Sequence, residues 1–241
     1  WWNLFRVDQS TNDMDLIPLT NIEAEIGLPQ WVFGQSRYVF VGDEIWLAYR
    51  EAGIDNLATL LPDGRLEKIE IDATEIESVT NYQDGIVATV SSWKAESLVT
   101  FVNRKEIRPL SKTRDLGIDE NWFPVPETFT YQTSDSEKAH ALFYSPTNPE
   151  YEISEKEKPP LIVLAHGGPT AAARRQLQLS ITYWTSRGFG VADVDYRGST
   201  GYGRSFRNRL RNSWGLADVE DCVSVAKYLV EQKKVDKNKL A

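Results

Sequence analysis

The sequence contains little of what disulfide-bonded or metal-binding proteins need. Its 241 residues include one cysteine, Cys222, and only two histidines. A single cysteine excludes an internal disulfide and is typical of a reducing compartment, which favours a cytoplasmic location. Two histidines and one cysteine are too few for an ordinary structural zinc site. We therefore expect neither a metal nor a cofactor.

Positive charge and long apolar runs are also scarce. With 35 acidic and 27 basic residues, the formal net charge is -8, so nothing indicates a nucleic-acid partner. No signal peptide and no stretch of about 18 apolar residues is present, so we expect no membrane partner. The sequence begins at Trp1 and its only methionine is Met14. We therefore expect the natural N-terminus, with any targeting segment, to lie outside it.

Helical periodicity is almost absent from residues 1–120. This part reads as short strands separated by turn residues, with strand-like runs on both sides of Gly42-Asp43 and of Pro62-Asp63-Gly64. Asp-Gly between two such runs is a strong hairpin signal. The first half is therefore predicted to be all β-structure.

The strand pattern of the first half repeats. Aligning Leu4, Leu57 and Leu98 gives separations of 53 and 41 residues, close to the period of four-stranded propeller blades. Two and a half blades cannot close a ring, so residues 1–120 are interpreted as the last blades of a β-propeller, with a small free-standing β-sandwich as the alternative. Blade packing explains the five tryptophans in or beside these strands, which are Trp1, Trp2, Trp31, Trp46 and Trp93.

The pattern changes at residue 121. A linker with two prolines, residues 121–129, is followed by two buried apolar runs at 161–168 and 188–196. Between these runs the sequence predicts a helix over 172–187. Apolar strands that alternate with helices are typical of a doubly wound α/β sheet, in which chemistry is located at the carboxyl ends of the strands.

Two further elements complete the second half, residues 121–241. A strand pair is predicted around Asp135-Ser136, with His140 as an ordinary residue of its second strand. The last segment has the spacing of an amphipathic helix. Its predicted apolar face consists of Leu216, Val219, Val223, Ala226 and either Leu229 or Val230.

The first buried run ends in His166-Gly167-Gly168-Pro169. Glycines at the carboxyl end of a strand let the backbone approach a bound group and leave N–H donors free. Such donors can stabilise the oxyanion that develops during acyl transfer. A tight strand-to-helix turn with an incidental histidine is the alternative interpretation.

Three segments together resemble the prolyl oligopeptidase family of serine peptidases. They are PPLIVLAHGGPT (159–170), SRGFGVADVDYRGSTGYGRSF (186–206) and WGLADVEDCVSVAKYLV (214–230). The acylaminoacyl-peptidase and dipeptidyl-peptidase-like branch is the most similar. The resemblance implies an N-terminal β-propeller, a C-terminal α/β-hydrolase domain and a short peptide as substrate.

The resemblance also implies roles for single residues. His166, Gly167 and Gly168 would form the oxyanion loop, with the N–H of Gly168 as a donor. Arg197 and Tyr202 would support the active-site face. The matching positions are Arg197, Gly198 and Ser199 in the first turn, Tyr202 and Gly203 in the second, and Trp214, Gly215, Asp218 and Asp221 around the final helix. Asp218 would complement the helix dipole there.

The nucleophile motif of α/β-hydrolases, G-x-S-x-G, is missing from the 241 residues. Ser199 and Ser205 lack its spacing, and no histidine is left over as a general base. Nucleophile, acid and base are therefore expected beyond Ala241, in the remainder of the same polypeptide, and the chain alone should be inactive. An esterase and a non-catalytic propeller binding protein are the alternatives, and homo-oligomerisation stays open.

Overall fold

The computed structural model describes residues 1–8, 10, 14–154, 157–168 and 170–241. The chain divides into two compact units. The first contains Trp1–Ser92, Ser97–Thr113 and Gly201–Arg204, and the second contains Trp93–Glu96, Arg114–Thr200 and Ser205–Ala241. The domain boundary near residue 120 stays a prediction. No helix in the described part of the chain has the length and apolar character needed to cross a bilayer.

The first unit consists of antiparallel sheets. A two-stranded sheet pairs β1 (Phe5–Asp8) with β2 (Asp15–Pro18). Two four-stranded sheets follow, each with its strands paired in chain order. The first contains β3 (Tyr38–Val41), β4 (Glu44–Glu51), β5 (Ile54–Leu60) and β6 (Leu66–Ile69). The second contains β7 (Glu75–Tyr82), β8 (Gly85–Ser92), β9 (Ala95–Val102) and β10 (Ile107–Pro109).

The predicted hairpins of this unit are confirmed. Gly42 lies in the turn between β3 and β4, and Gly64 lies in the turn between β5 and β6. The aligned leucines also correspond, because Leu57 and Leu98 lie in the third strands of the two four-stranded sheets. Strand β7 was not predicted, since its polar sequence EIESVTNY lacks a clear alternation.

One apolar cluster packs the two four-stranded sheets against each other. Its buried members come from both sheets and are Trp46, Ala48, Leu57, Ile76, Val79, Ile86, Ala88, Val90 and Val102. Burying each large apolar side chain contributes roughly 1.5–3 kcal/mol. This core therefore stabilises the packing of the two sheets against each other.

A buried ion cluster crosses the same region. The carboxylate of Asp55 accepts hydrogen bonds from Arg37 Nη2 and Arg50 Nε, both at 3.0 Å, and from the N–H of Ile76 at 2.8 Å. Burial alone would raise the pKa of Asp55, but the charges and hydrogen bonds of the two arginines outweigh it and lower the pKa to about 2. Arg50 also pairs with Glu75. The cluster therefore keeps Asp55 ionised although it is buried.

The second unit contains a mixed sheet of four strands. They are β11 (Pro126–Gln132), β12 (Lys138–Tyr144), β13 (Leu161–Ala165) and β14 (Gly190–Asp195), in the order β11-β12-β14-β13. The first two pairings are antiparallel, and β13 runs parallel to β14. The predicted strand pair around Asp135-Ser136 and both predicted buried strands are confirmed.

The last residues of the chain run along the outer side of β13. Leu161 N–H donates to the carbonyl of Lys239 at 2.9 Å, and Val163 N–H donates to the carbonyl of Ala241 at 2.8 Å. A bridge between Leu161 and Leu240 is parallel. Residues 239–241 therefore form the first hydrogen bonds that a fifth strand beside β13 would make.

The helix predicted over 172–187 is shorter than expected, since α1 covers only Leu179–Thr185. The residues before it hydrogen-bond elsewhere. Ala173 N–H donates to the Asp195 carboxylate at 2.7 Å, and the carbonyl of Ala171 accepts the N–H of Thr200 at 2.8 Å. These tertiary hydrogen bonds use the backbone groups that a longer helix would need.

The final amphipathic helix is confirmed as α3 (Ala217–Glu231), after the short α2 (Gly203–Asn208). Its predicted apolar face is wrong in part. Ala226 and Leu229 are buried, but Leu216, Val219 and Val223 are 72%, 55% and 48% exposed. The buried face is instead shared by Ala217, Asp221, Ser224, Val225, Ala226 and Leu229. The buried face thus includes Asp221, which pairs with Arg197, a contact that a hydrophobic pattern does not show.

Candidate active site

The glycine motif forms a loop at the carboxyl end of β13, the parallel strand. His166 follows the strand directly, and Gly167 and Gly168 continue into the loop. Gly168 has a φ of +68°, in the left-handed region that side chains other than glycine rarely adopt. Pro169 lies outside the described residues. The left-handed conformation at Gly168 is therefore one that this loop needs glycine to adopt.

Two backbone donors of this loop are unpaired. Among the described residues, the N–H groups of Gly167 and Gly168 find no hydrogen-bond acceptor, and both residues are exposed. A Cβ added at Gly167 would meet no atom within 4 Å. The loop thus has open space beside it and two N–H groups free to bind an oxygen.

A cavity of about 690 Å³ lies beside the loop. Its walls are mainly apolar and come from the loop itself, from Val163 and Ala165 of β13, and from one face of α3. The lining residues from α3 and from the segment just before it are Trp214, Asp218, Val219, Cys222, Val223, Ala226 and Lys227. The exposed side chains of Val219 and Val223 on α3 therefore line the same cavity as Gly167 and Gly168.

His166 is held by two neighbours. Its Nε2 lies 2.7 Å from Ser199 Oγ, and its ring stacks on Tyr196 with a centroid distance of 4.3 Å. Burial lowers the pKa of His166, and the nearby carbonyls of Gly167 and Gly168 oppose this shift. Ser199 is fully buried, and its hydroxyl donates to the carbonyl of Tyr196 at 2.7 Å. A substrate cannot reach this serine, so the close Ser199–His166 pair is not a catalytic dyad.

Arg197 ties the turn after β14 to α3. Its N–H and its guanidinium Nη2 bond the Asp221 carboxylate at 2.7 and 2.8 Å, and its Nη1 bonds Asp135 at 2.5 Å. Burial would lower the pKa of Arg197, but hydrogen bonds with Asp221 and Asp135 outweigh it and raise the pKa. The predicted supporting arginine therefore fixes the backbone between Tyr196 and Ser199.

Asp218 lines the cavity, whereas Tyr202 belongs to the first unit. Asp218 lies in the first turn of α3, where its Oδ1 accepts the N–H of Gly215 at 2.7 Å and its negative charge complements the helix dipole. Tyr202 is half-buried and belongs to Gly201–Arg204, which groups with the first unit. The supporting role of Tyr202 stays a prediction.

His140 lies in β12, as predicted, and packs within the second unit. Its Nδ1 hydrogen-bonds Thr130 Oγ1 at 2.9 Å, and its ring lies 5.2 Å from that of Phe206. Burial, followed by the charges of Arg209 and Lys138, lowers its pKa to about 4. Within the described ranges, no group of three potential ligands could hold a metal ion.

Sequence reasoning missed three residues of β14 and its end. Tyr196 donates from its hydroxyl to the loop carbonyls, while Asp195 accepts the N–H of Ala173. Burial raises the pKa of Asp193 to about 6, although a hydrogen bond from Gln178 lowers it in part. The signal for Tyr196 was present, since it is the tyrosine of the quoted DYRGS segment.

Comparisons with known proteins agree with this fold. Residues 175–241 match the model of the prolyl oligopeptidase family. The crystal structure of puromycin hydrolase superposes with a TM-score of 0.94 at 34% identity, covering 100% of this chain and 37% of that one. An uncharacterized peptidase of Bacillus subtilis, YuxL, is 25% identical over 168 residues, which are 70% of this chain and 25% of that protein. The acylamino-acid-releasing enzyme of Rattus norvegicus is 28% identical over 151 residues, covering 61% and 19%.

The names of these relatives describe a hydrolase, a peptidase and an acylamino-acid-releasing enzyme. The match of residues 175–241 to the prolyl oligopeptidase family agrees with the resemblance that the three quoted segments predicted. The chain spans about a quarter of the Bacillus protein and 37% of puromycin hydrolase.

Proposed function

We propose that residues 1–241 form part of a serine peptidase that hydrolyses short peptides. The four-stranded sheets of the first unit are then propeller blades, and the mixed sheet is the N-terminal half of an α/β-hydrolase domain. Puromycin hydrolase, which superposes over the whole chain at 34% identity, supports this assignment.

One observation carries the proposal, namely that the N–H groups of Gly167 and Gly168, beside an apolar cavity, have no acceptor in the described part of the chain. A carbonyl oxygen placed there gains negative charge when a nucleophile attacks its carbon. Fixed donors stabilise that charge without reorganising during the reaction. The apolar walls formed by α3 strengthen this effect, because electrostatic interactions are stronger away from water. The loop is thus suited to acyl transfer.

The nucleophile belongs outside these residues in our proposal. Residues 239–241 pair with β13 in parallel, so a strand that continued from them would end at the same edge as the loop. In α/β-hydrolases, a serine on the turn after such a strand supplies the second oxyanion donor through the next residue's N–H. We place the serine there, with its acid and histidine later, and expect residues 1–241 alone to be inactive.

A peptidase is favoured over an esterase, although the same loop chemistry serves both. The motif here is Gly-Gly followed by Pro169, whereas the esterase loop is of the HGGG type. Relatives named as a peptidase, a puromycin hydrolase and an acylamino-acid-releasing enzyme support amide bonds as the target.

The test is a comparison of substrates on the full-length polypeptide that contains residues 1–241. We expect it to hydrolyse fluorogenic aminoacyl and dipeptidyl amides and to be blocked by a fluorophosphonate. Residues 1–241 alone serve as the matched control and should do neither. Turnover of esters without amides would favour the esterase, and no labelling at all would favour a non-catalytic binding protein.

A further inference from the structure

Tyr196 reaches the oxyanion loop from the neighbouring strand. Its hydroxyl lies 2.8 Å from the carbonyl oxygen of Gly168, 3.0 Å from that of His166 and 3.2 Å from His166 Nδ1. We propose that Tyr196 is a positioning residue that sets the orientation of the Gly167 N–H, one of the oxyanion donors. This inference rests on the proposed function, since it names what holds the loop in its active conformation.

The geometry of the peptide bond connects the hydroxyl to the donors. In a trans peptide the C=O and the N–H point in opposite directions. The carbonyl of His166 belongs to the same peptide unit as the N–H of Gly167. By drawing that carbonyl toward itself, the Tyr196 hydroxyl turns the Gly167 N–H away from the Tyr196 side. Among the described residues this N–H has no acceptor, so it stays available for an oxyanion.

The second hydroxyl contact acts on the turn itself. The carbonyl of Gly168 is held at 2.8 Å, and Gly168 is the residue with the left-handed backbone. The single hydroxyl hydrogen of Tyr196 is thus shared between the carbonyls of His166 and Gly168 as a three-centre hydrogen bond. Burial raises the pKa of Tyr196 to about 12, so its proton remains on the hydroxyl as a donor at any working pH.

Tyr196 is itself firmly anchored. The aromatic ring stacks on the imidazole of His166, whose other side bonds Ser199 Oγ. The carbonyl of Tyr196 accepts both the N–H and the hydroxyl of Ser199, at 2.9 and 2.7 Å. Arg197, between them, is fixed by Asp221. A rigid support of this kind is what a group needs in order to orient a catalytic loop.

The second unit contains a matched control. Tyr131 is also buried, and its hydroxyl also donates to a backbone carbonyl, that of Asp221, at 2.9 Å. Tyr131 does not line the cavity. Tyr131→Phe therefore removes an equivalent buried hydrogen bond without touching the loop.

The experiment compares Tyr196→Phe and Tyr131→Phe in the full-length polypeptide, by steady-state kinetics on a peptide amide. We expect Tyr196→Phe to lower kcat by about tenfold to a hundredfold, with KM changed by less than about threefold, because a misplaced donor acts in the transition state. Tyr131→Phe should stay within about twofold of the natural protein. Equal losses in kcat for the two variants would overturn the proposal.

A second readout does not depend on activity. In the full-length polypeptide labelled with ¹⁵N-histidine, the imidazole resonances of His166 and His140 are assigned from the signals that His166→Gln and His140→Gln remove. Tyr196→Phe should shift the Nδ1 resonance of His166 and leave that of His140 in place. An unchanged His166 overturns the positioning role. A shifted His166 in a protein that hydrolyses no amide supports the positioning of the loop and refutes the peptidase proposal instead.

Discussion

Replacing Gly168 by alanine should reduce kcat far more than it reduces the free energy of unfolding. At a φ of +68°, an alanine side chain in the left-handed region costs roughly 1–2 kcal/mol. The backbone relieves this strain by moving toward negative φ, which displaces the loop N–H groups. Losing one oxyanion donor in other hydrolases lowers kcat by about 10²–10³. We therefore expect Gly168→Ala to lose only about 1–2 kcal/mol of stability but at least about a hundredfold in kcat.

Gly188 provides the control for backbone strain alone. It has a φ of +86°, lies just after α1, and an added Cβ there would meet no atom within 4 Å. Gly188→Ala should therefore lose a similar free energy of unfolding, with kcat unchanged within about twofold. The assays are urea unfolding and kcat at saturating peptide amide, both on the full-length polypeptide. If both variants lost kcat in proportion to stability, the loop would be a structural turn only.

Three further outcomes follow from buried groups. Asp55→Asn removes the carboxylate that two buried arginines share. It should lower the free energy of unfolding, measured in urea, by about 3–5 kcal/mol. Because the pKa of Asp55 is about 2 in the folded protein, below its unfolded value of about 3.9, its stabilisation is complete above about pH 4 and lost toward pH 2. The pKa of Asp193 is raised to about 6, so this group makes stability rise as the pH falls from about 7 to 4, and Asp193→Asn should abolish that slope. Leu229→Ala should cost about 2–5 kcal/mol, whereas Val223→Ala should cost less than about 0.5 kcal/mol, since only Leu229 is buried.

Short-range signals explain which elements were predictable. The hairpins at Gly42 and Gly64 depend on turn residues that act within four positions, and the buried strands β13 and β14 depend on continuous apolar runs. The predicted helix over 172–187 is too long because Asp195, more than twenty residues later, binds the N–H of Ala173. No local pattern contains that contact.

The candidate site was predictable in its outline only. The glycines of 166–168 indicated a loop with free donors, and the structure shows both N–H groups unpaired among the described residues. The support from Tyr196 could not be predicted, because it joins the ends of two strands that are 30 residues apart. The burial of Asp221 on α3 could not be predicted either, because Asp221 pairs with Arg197, which lies 24 residues earlier in the chain.

The most direct test of the central claim is to locate a fluorophosphonate label on the full-length polypeptide. The measurement is the intact mass with and without the probe, followed by peptide mapping of the adduct. We expect one adduct per chain, on a serine that follows residue 241. An adduct on Ser199 or on any other residue of 1–241, or no adduct at all, would contradict the account.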